Sequence, residues 1–162
     1  KTAGSLNSLK KEVEFVQLFL ERESDFAPGK FEWSIDLAPG IDPDAIEIPP
    51  MFIQPFVENA IKHGVKHLSG EGMISVTFNK TGNHLECIVT DNGIGRKASA
   101  DLYQNKQALY PSVGSNLLAE RQMLLKKLAR IDIEQETTDL YDESGNPAGT
   151  KVTVRFELDD EL

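Results

Sequence analysis

The sequence predicts an α+β fold, a two-layer α/β sandwich with helices on one face of a mixed, mostly antiparallel sheet. Three observations predict it. Segments with apolar residues at helical spacing alternate with segments in which apolar residues fall at every second position. Their order along the chain is helix, strand, helix, hairpin, helix, hairpin. Breaks rich in Gly and Pro separate them, and 162 residues is the length of one domain. Hairpins with interspersed helices pack as one helical layer on one sheet.

Each element follows from local pattern. Ser8 can cap a helix running to about Glu23, with Leu9, Val13, Val16 and Leu20 on one stripe and Phe15 and Phe19 beside it. Pro and Gly within Asp25–Lys30 end that helix. Phe31, Trp33, Ile35 and Leu37 then alternate with polar residues as in a half-buried strand. Ala38–Glu47 is a loop punctuated by Pro39, Gly40 and Pro43. Pro49 and Pro50 are expected to open the next helix, which ends near Gly64 and is kinked at Pro55. Strands at Met73–Asn79 and His84–Thr90 form a hairpin around Thr81-Gly82-Asn83. Arg96–Ser112 is polar and reads as an irregular, mobile segment. A helix from about Ser115 to Leu128 follows. Strands at Ile131–Thr137 and Thr150–Leu158 flank a turn over Asp142–Pro147.

Composition narrows the function classes. The net charge of -9 gives no general attraction for nucleic acid or anionic lipid. A bound polyanion must therefore be held by local devices: backbone N–H groups, a few Lys or Arg, and a metal ion. Cys87 is the only cysteine, which excludes an intramolecular disulfide or a cysteine-cluster metal site. It sits in the apolar run Leu85–Val89 and reads as a core residue in a reducing compartment. No apolar run is long enough to cross a bilayer and no signal peptide is visible. The chain begins at Lys1 without Met, so it is expected to be a fragment of a longer protein.

Four constellations could carry chemistry. Asn59, Lys62 and His63 are spaced to share one face of a helix, with Glu58 beside them. Asn offers an oxygen to a hard metal ion and Lys a point charge to phosphate, although an ordinary solvated face has the same spacing. Thr90-Asp91-Asn92-Gly93-Ile94-Gly95 follows an apolar strand. There a carboxylate can accept from an exocyclic amine, while Gly93 and Gly95 let backbone approach a ligand. A plain Asx-Gly turn is the alternative. Ser112-Val113-Gly114-Ser115 precedes a helix and leaves free N–H groups for phosphate oxygens, or only an N-cap at Ser115. Gly149-Thr150 starts the last strand and alone is a turn exit.

In this order the four resemble the nucleotide-binding boxes of the histidine kinase, gyrase, heat-shock-ninety and mismatch-repair ATPase superfamily. Asn59-Ala60-Ile61-Lys62-His63 resembles the N box, and Asp91-Asn92-Gly93-Ile94-Gly95 the first glycine box. Ser112–Ser115 is similar to the second and Gly149-Thr150 to the last. The phrase from Ile48 to Gly64, with Pro49-Pro50-Met51-Phe52-Ile53-Gln54-Pro55-Phe56-Val57-Glu58 ahead of Asn59, resembles more narrowly the LytS-type sensor histidine kinases.

The resemblance implies the Bergerat ATP-binding sandwich over residues 25–162. Residues 1–24 would be a helix from the end of the dimerisation and phosphoacceptor region. It implies ATP and Mg²⁺ as ligands. Asn59 would chelate Mg²⁺, Lys62 and His63 would contact phosphate, and Asp91 would accept from the adenine amino group. Gly93 and Gly95 would let the backbone pass the nucleotide, Gly114 would anchor a lid over residues 96–112, and Thr150 would help hold adenine. The implied partners are the protein's own dimerisation helix, in a homodimeric parent, and a LytTR-type response regulator. The implied location is a cytoplasmic domain of an inner-membrane parent, without membrane or nucleic-acid contact of its own. Gyrase-like hydrolases place a Glu one turn before the N-box Asn; here that position is Pro55, which favours phosphoryl transfer to a protein side chain over hydrolysis. Glu58 is the remaining candidate for a catalytic carboxylate. Ser112 stands where many relatives have Gly, which keeps open a second reading: a degenerate, non-catalytic nucleotide-binding or partner-docking module. His67 and His84 read as solvated surface residues.

Overall fold

A computed structural model describes residues 6–107, 120–124, 127 and 131–158. The chain opens with a two-residue strand β1 (Asn7–Ser8) and helix α1 (Leu9–Phe26), whose N-cap Ser8 accepts from the Lys11 N–H at 3.2 Å. Strand β2 (Phe31–Leu37) follows, then a short strand β3 (Glu47–Ile48) that pairs antiparallel with β1. This small pairing has no signature in the sequence, because two residues are too few to alternate.

Helix α2 (Gln54–Asn59) starts later than Pro49-Pro50 suggested; Pro55 sits in its first turn, where a missing N–H costs nothing, and does not kink it. The run continues as a π turn over Ala60–Gly64 and a 3₁₀ turn over Val65–His67. Strands β4 (Gly72–Thr81) and β5 (His84–Asp91) form the expected hairpin around Gly82, which has φ 59°. The segment expected to be irregular is instead helix α3 (Arg96–Gln107); residues 108–112 lie outside the described part. Its many polar residues hide a helix because few apolar ones mark the period. Of the helix expected at Ser115–Leu128, residues 120–124 and 127 are described and are helical. Strands β6 (Ile133–Tyr141) and β7 (Pro147–Glu157) reach closer to their turn than polar composition suggested.

The main sheet has the order β2-β4-β5-β7-β6. The β2–β4 pair is parallel and the other three pairs are antiparallel, as a mixed, mostly antiparallel sheet requires. One face is buried: Ile74, Val76 and Phe78 of β4, Leu85, Cys87 and Val89 of β5, and Val154 and Phe156 of β7 are at most 2% exposed. Against it pack Leu9, Val16 and Leu20 of α1 and Phe56 and Val57 of α2, all in one core. His84 and His67 are half-buried rather than solvated, and His67 Nε2 is enclosed.

Candidate functional site

Two ends of the fold meet at the site. The first is the C-terminal end of β5. Leu85, Cys87, Val89 and Asp91 alternate onto the core face, so strand period alone turns Asp91 toward the helical layer. Asp91 is 6% exposed. Its Oδ1 accepts from the Gly93 N–H at 2.8 Å, and the Thr150 N–H, directly opposite in the β5–β7 register, also donates to the carboxylate. Burial outweighs both donors and pushes its pKa up to about 6.

The second is the helical run after α2. A β-carbon on Gly64 would lie 2.6 Å from Asp91 Oδ1, and one on Gly93 would lie 2.2 Å from the Gly64 carbonyl carbon. Glycine at both positions lets the end of the π turn press directly on the acid and its loop. Ile94 N–H donates to the Gly64 carbonyl at 3.4 Å. Gly149, at φ 126°, passes equally close: a β-carbon there would lie 1.9 Å from the Asp91 carbonyl oxygen. The turn after β5, the run through Gly64 and the start of β7 therefore share one point. Gly95, at φ 89°, turns the chain into α3 next to Pro147.

Asn59 and Lys62 are exposed, one turn and less upstream of Gly64, and Glu58 and His63 are half-buried. Gly64 is thus the point at which the helical run that carries Asn59 and Lys62 meets Asp91. The run that carries Lys62 and His63 is a π turn, a geometry frequent at functional sites. His63 Nδ1 lies 3.3 Å from the hydroxyl of Ser99, a buried residue of α3. Burial, then the nearby Lys62 and His67, lower the His63 pKa, so the ring is neutral at pH 7 and meets a ligand as a hydrogen-bonding group. Thr150 is half-buried beside Asp91. Gly114 lies outside the described residues. Glu58 accepts from the Gln54 side chain at 3.4 Å.

Sequence reasoning missed Ser99 and the close packing of Gly64. Ser99 sits in the stretch read as irregular, so it had no face to belong to. Gly64 was visible only as a helix end.

Two hollows lie elsewhere on the described surface. One of about 430 Å³ follows the outer side of α1 along Leu18, Arg22 and Phe26. Another of about 490 Å³ lies on the open sheet face around Glu86, Glu134 and Arg155. Neither includes Asn59 or Asp91. Among the described residues no three His, Cys, Asp or Glu side chains converge as a metal cluster, and no helix is long and apolar enough to cross a membrane.

Known proteins share the sequence pattern and the fold. Residues 49–160 match the family model described as histidine kinase-, DNA gyrase B-, and HSP90-like ATPase. The sensor protein LytS of Oceanobacillus iheyensis is 31% identical over 139 residues, which cover 86% of this chain and 22% of that protein. The sensor histidine kinase BtsS of Escherichia coli is 30% identical over 104 residues, covering 64% of this chain and 17% of that protein. The chain thus spans about a fifth of the length of these relatives. Among solved structures, the mycobacterial sensor histidine kinase MprB shares the fold with a TM-score of 0.57 at 13% identity, covering 94% of this chain and 96% of that one. The catalytic domain of histidine kinase ThkA does so with a TM-score of 0.57 at 12% identity, covering 94% of each. The chain belongs to the histidine kinase-, DNA gyrase B- and HSP90-like ATPases, and within them its sequence is similar to the LytS type of sensor histidine kinase.

Proposed function

We propose that the domain presents the γ-phosphoryl group of Mg-ATP to a histidine on a dimerisation helix outside this sequence. The observation that carries the reading is the meeting of Asp91 with the Asn59-bearing helical run at Gly64. Asp91 accepts from the exocyclic amine of adenine. Its carboxylate has about four lone-pair sites, so two backbone donors leave room for a third. Thr150 flanks the base. Gly64, Gly93 and Gly149 carry no side chain that would fill the space around the acid.

The donor set also fits Mg²⁺. That ion takes one or two protein oxygens and completes its shell with phosphates and water, so one exposed amide oxygen at Asn59 suffices and no carboxylate cluster is needed. Bound there, Mg²⁺ would neutralise phosphate charge during transfer. Lys62, exposed one turn from Asn59, adds a point charge for phosphate, and neutral His63 donates or accepts a hydrogen bond beside it. Phosphoryl transfer needs positioning and charge neutralisation more than covalent help, and these residues supply both. Pro55, at the position of the gyrase-type base, argues against an activated water.

In the longer protein the domain would work in a homodimer, transfer to its own dimerisation helix and feed a LytTR-type response regulator. The domain would face the cytoplasm below an inner-membrane region. Labelled ATP tests this. The chain alone should acquire no stable phosphate. The full-length protein should become labelled on an acid-labile, base-stable site, and Asn59→Ala should abolish that label. Stable label on the isolated chain, or full labelling of the variant, would defeat the reading.

A further inference from the structure

Among the described residues three polar or charged side chains are buried: Glu12, Asp91 and Ser99. Asp91 belongs to the nucleotide site and Ser99 meets His63. Glu12 has no part in either. It lies on α1, 2% exposed, on the stripe that also carries Leu9, Val16 and Leu20. An apolar side chain would match the rest of that stripe. A buried carboxylate with no cation beside it is destabilising unless hydrogen bonds hold it. Burial raises the Glu12 pKa in spite of its three donors.

Those donors say what the carboxylate does. Oε1 accepts from the Met51 backbone N–H at 2.7 Å and Oε2 from the Asn7 side-chain amide at 3.2 Å. The Phe52 backbone N–H also donates to it. Met51 is the only non-glycine residue with positive φ among those described, at 58°. A methionine in that conformation costs on the order of 1–3 kcal/mol and persists only where its surroundings fix it. The turn leads directly into α2, whose N-cap Ile53 offers no side-chain acceptor. Asn59 closes that helix, so the direction of the turn sets the place of its amide. α1 itself is a fixed base: Leu9 N–H donates to the Ile46 carbonyl at 2.7 Å and Lys10 N–H to the Pro43 carbonyl at 2.9 Å.

We propose that Glu12 is a positioning residue for metal-nucleotide binding: from α1 it holds the Met51–Phe52 turn and thereby fixes where Asn59 is presented. The inference rests on the role given to Asn59 above. It ties the first helix of the chain to the metal half of the site and leaves the adenine half at Asp91 alone.

The test is the ratio of ATP affinity in Mg²⁺ to that in EDTA, measured by calorimetry on the whole chain. Glu12→Leu removes the acceptor and should lower the ratio by about five-fold or more, while metal-free affinity stays within about two-fold. Glu12→Asp keeps the charge but falls short of the Met51 N–H, and should lower the ratio in the same direction. Glu12→Gln can reach it with its amide oxygen while the Asn7 amide flips, and should restore the ratio to within about two-fold of wild type. If Glu12→Leu does not fold, Glu12→Asp carries the comparison. An unchanged ratio in the variants that lack the contact, or an equal fall of both affinities, overturns the inference. If Asn59→Ala abolishes the ratio and the Glu12 variants leave it intact, only this inference fails. If wild type shows no Mg²⁺ dependence, the nucleotide reading fails and takes this one with it.

Discussion

Asp91 is the residue at which stability and the proposed nucleotide contact oppose each other. Its pKa rises from 3.8 to about 6 on folding because burial disfavours the ionised form. Between those values the folded state holds a proton that the unfolded state has lost, so stability falls as pH rises through this window. Above pH 6 the ionised carboxylate costs on the order of 3 kcal/mol. Asp91→Asn should therefore raise stability at pH 7.5, by about 1–3 kcal/mol in urea unfolding, while it weakens nucleotide binding. A carbon-13 titration of the Asp91 carboxyl should show a midpoint near 6 that moves down when ATP is added. Asn59, Lys62, Asp91 and Gly93 could be picked out as candidates in the sequence because each lies within a short local pattern. Glu12 was not: it looks like a polar interruption in an amphipathic stripe, and its partner Met51 is 39 positions away.

At the scale of elements, the site depends on three segments touching without side chains between them. Gly93→Ala and Gly149→Ala would place a β-carbon 2.2 Å and 1.9 Å from backbone atoms, which no rotamer can relieve. Each should destabilise the domain severely, by more than about 3 kcal/mol. Gly82→Ala is the control: the space around it is open and only its φ of 59° opposes the change, so it should cost about 1 kcal/mol. Denaturant midpoints would rank the three. The five strands of the main sheet were read with the right type and order because alternation survives in them, whereas the two-residue strands β1 and β3 were not read. The errors fell where pattern fails. α3 carries too few apolar residues to reveal its period, and α2 starts at Gln54-Pro55 rather than at Pro49-Pro50, after a turn whose Met51 N–H is held by a buried carboxylate from another helix.

For the molecule as a whole, α1 shares the core of the sheet. Leu9 and Leu20 are fully buried and Val16 nearly so, although the matched family segment starts only at residue 49. Leu20→Ala should cost about 2–5 kcal/mol in unfolding free energy, the range for a buried leucine truncated to alanine. A cost below 1 kcal/mol would mean that α1 is a detachable appendage. Its other side bears Phe15, Leu18 and Phe26, all exposed, so the helix is apolar on more than the face it buries.

The account stands on the proposal that Asn59 and Asp91 hold the two ends of one nucleotide. Calorimetric titration of ATP into wild type, Asn59→Ala and Asp91→Ala, with and without Mg²⁺, tests it most directly. Asn59→Ala should lose the Mg²⁺-dependent part of the affinity and keep the metal-free part. Asp91→Ala should lose about 1.5–3 kcal/mol under both conditions. Wild-type affinity in both variants, or a wild-type chain that does not bind ATP, would contradict the account.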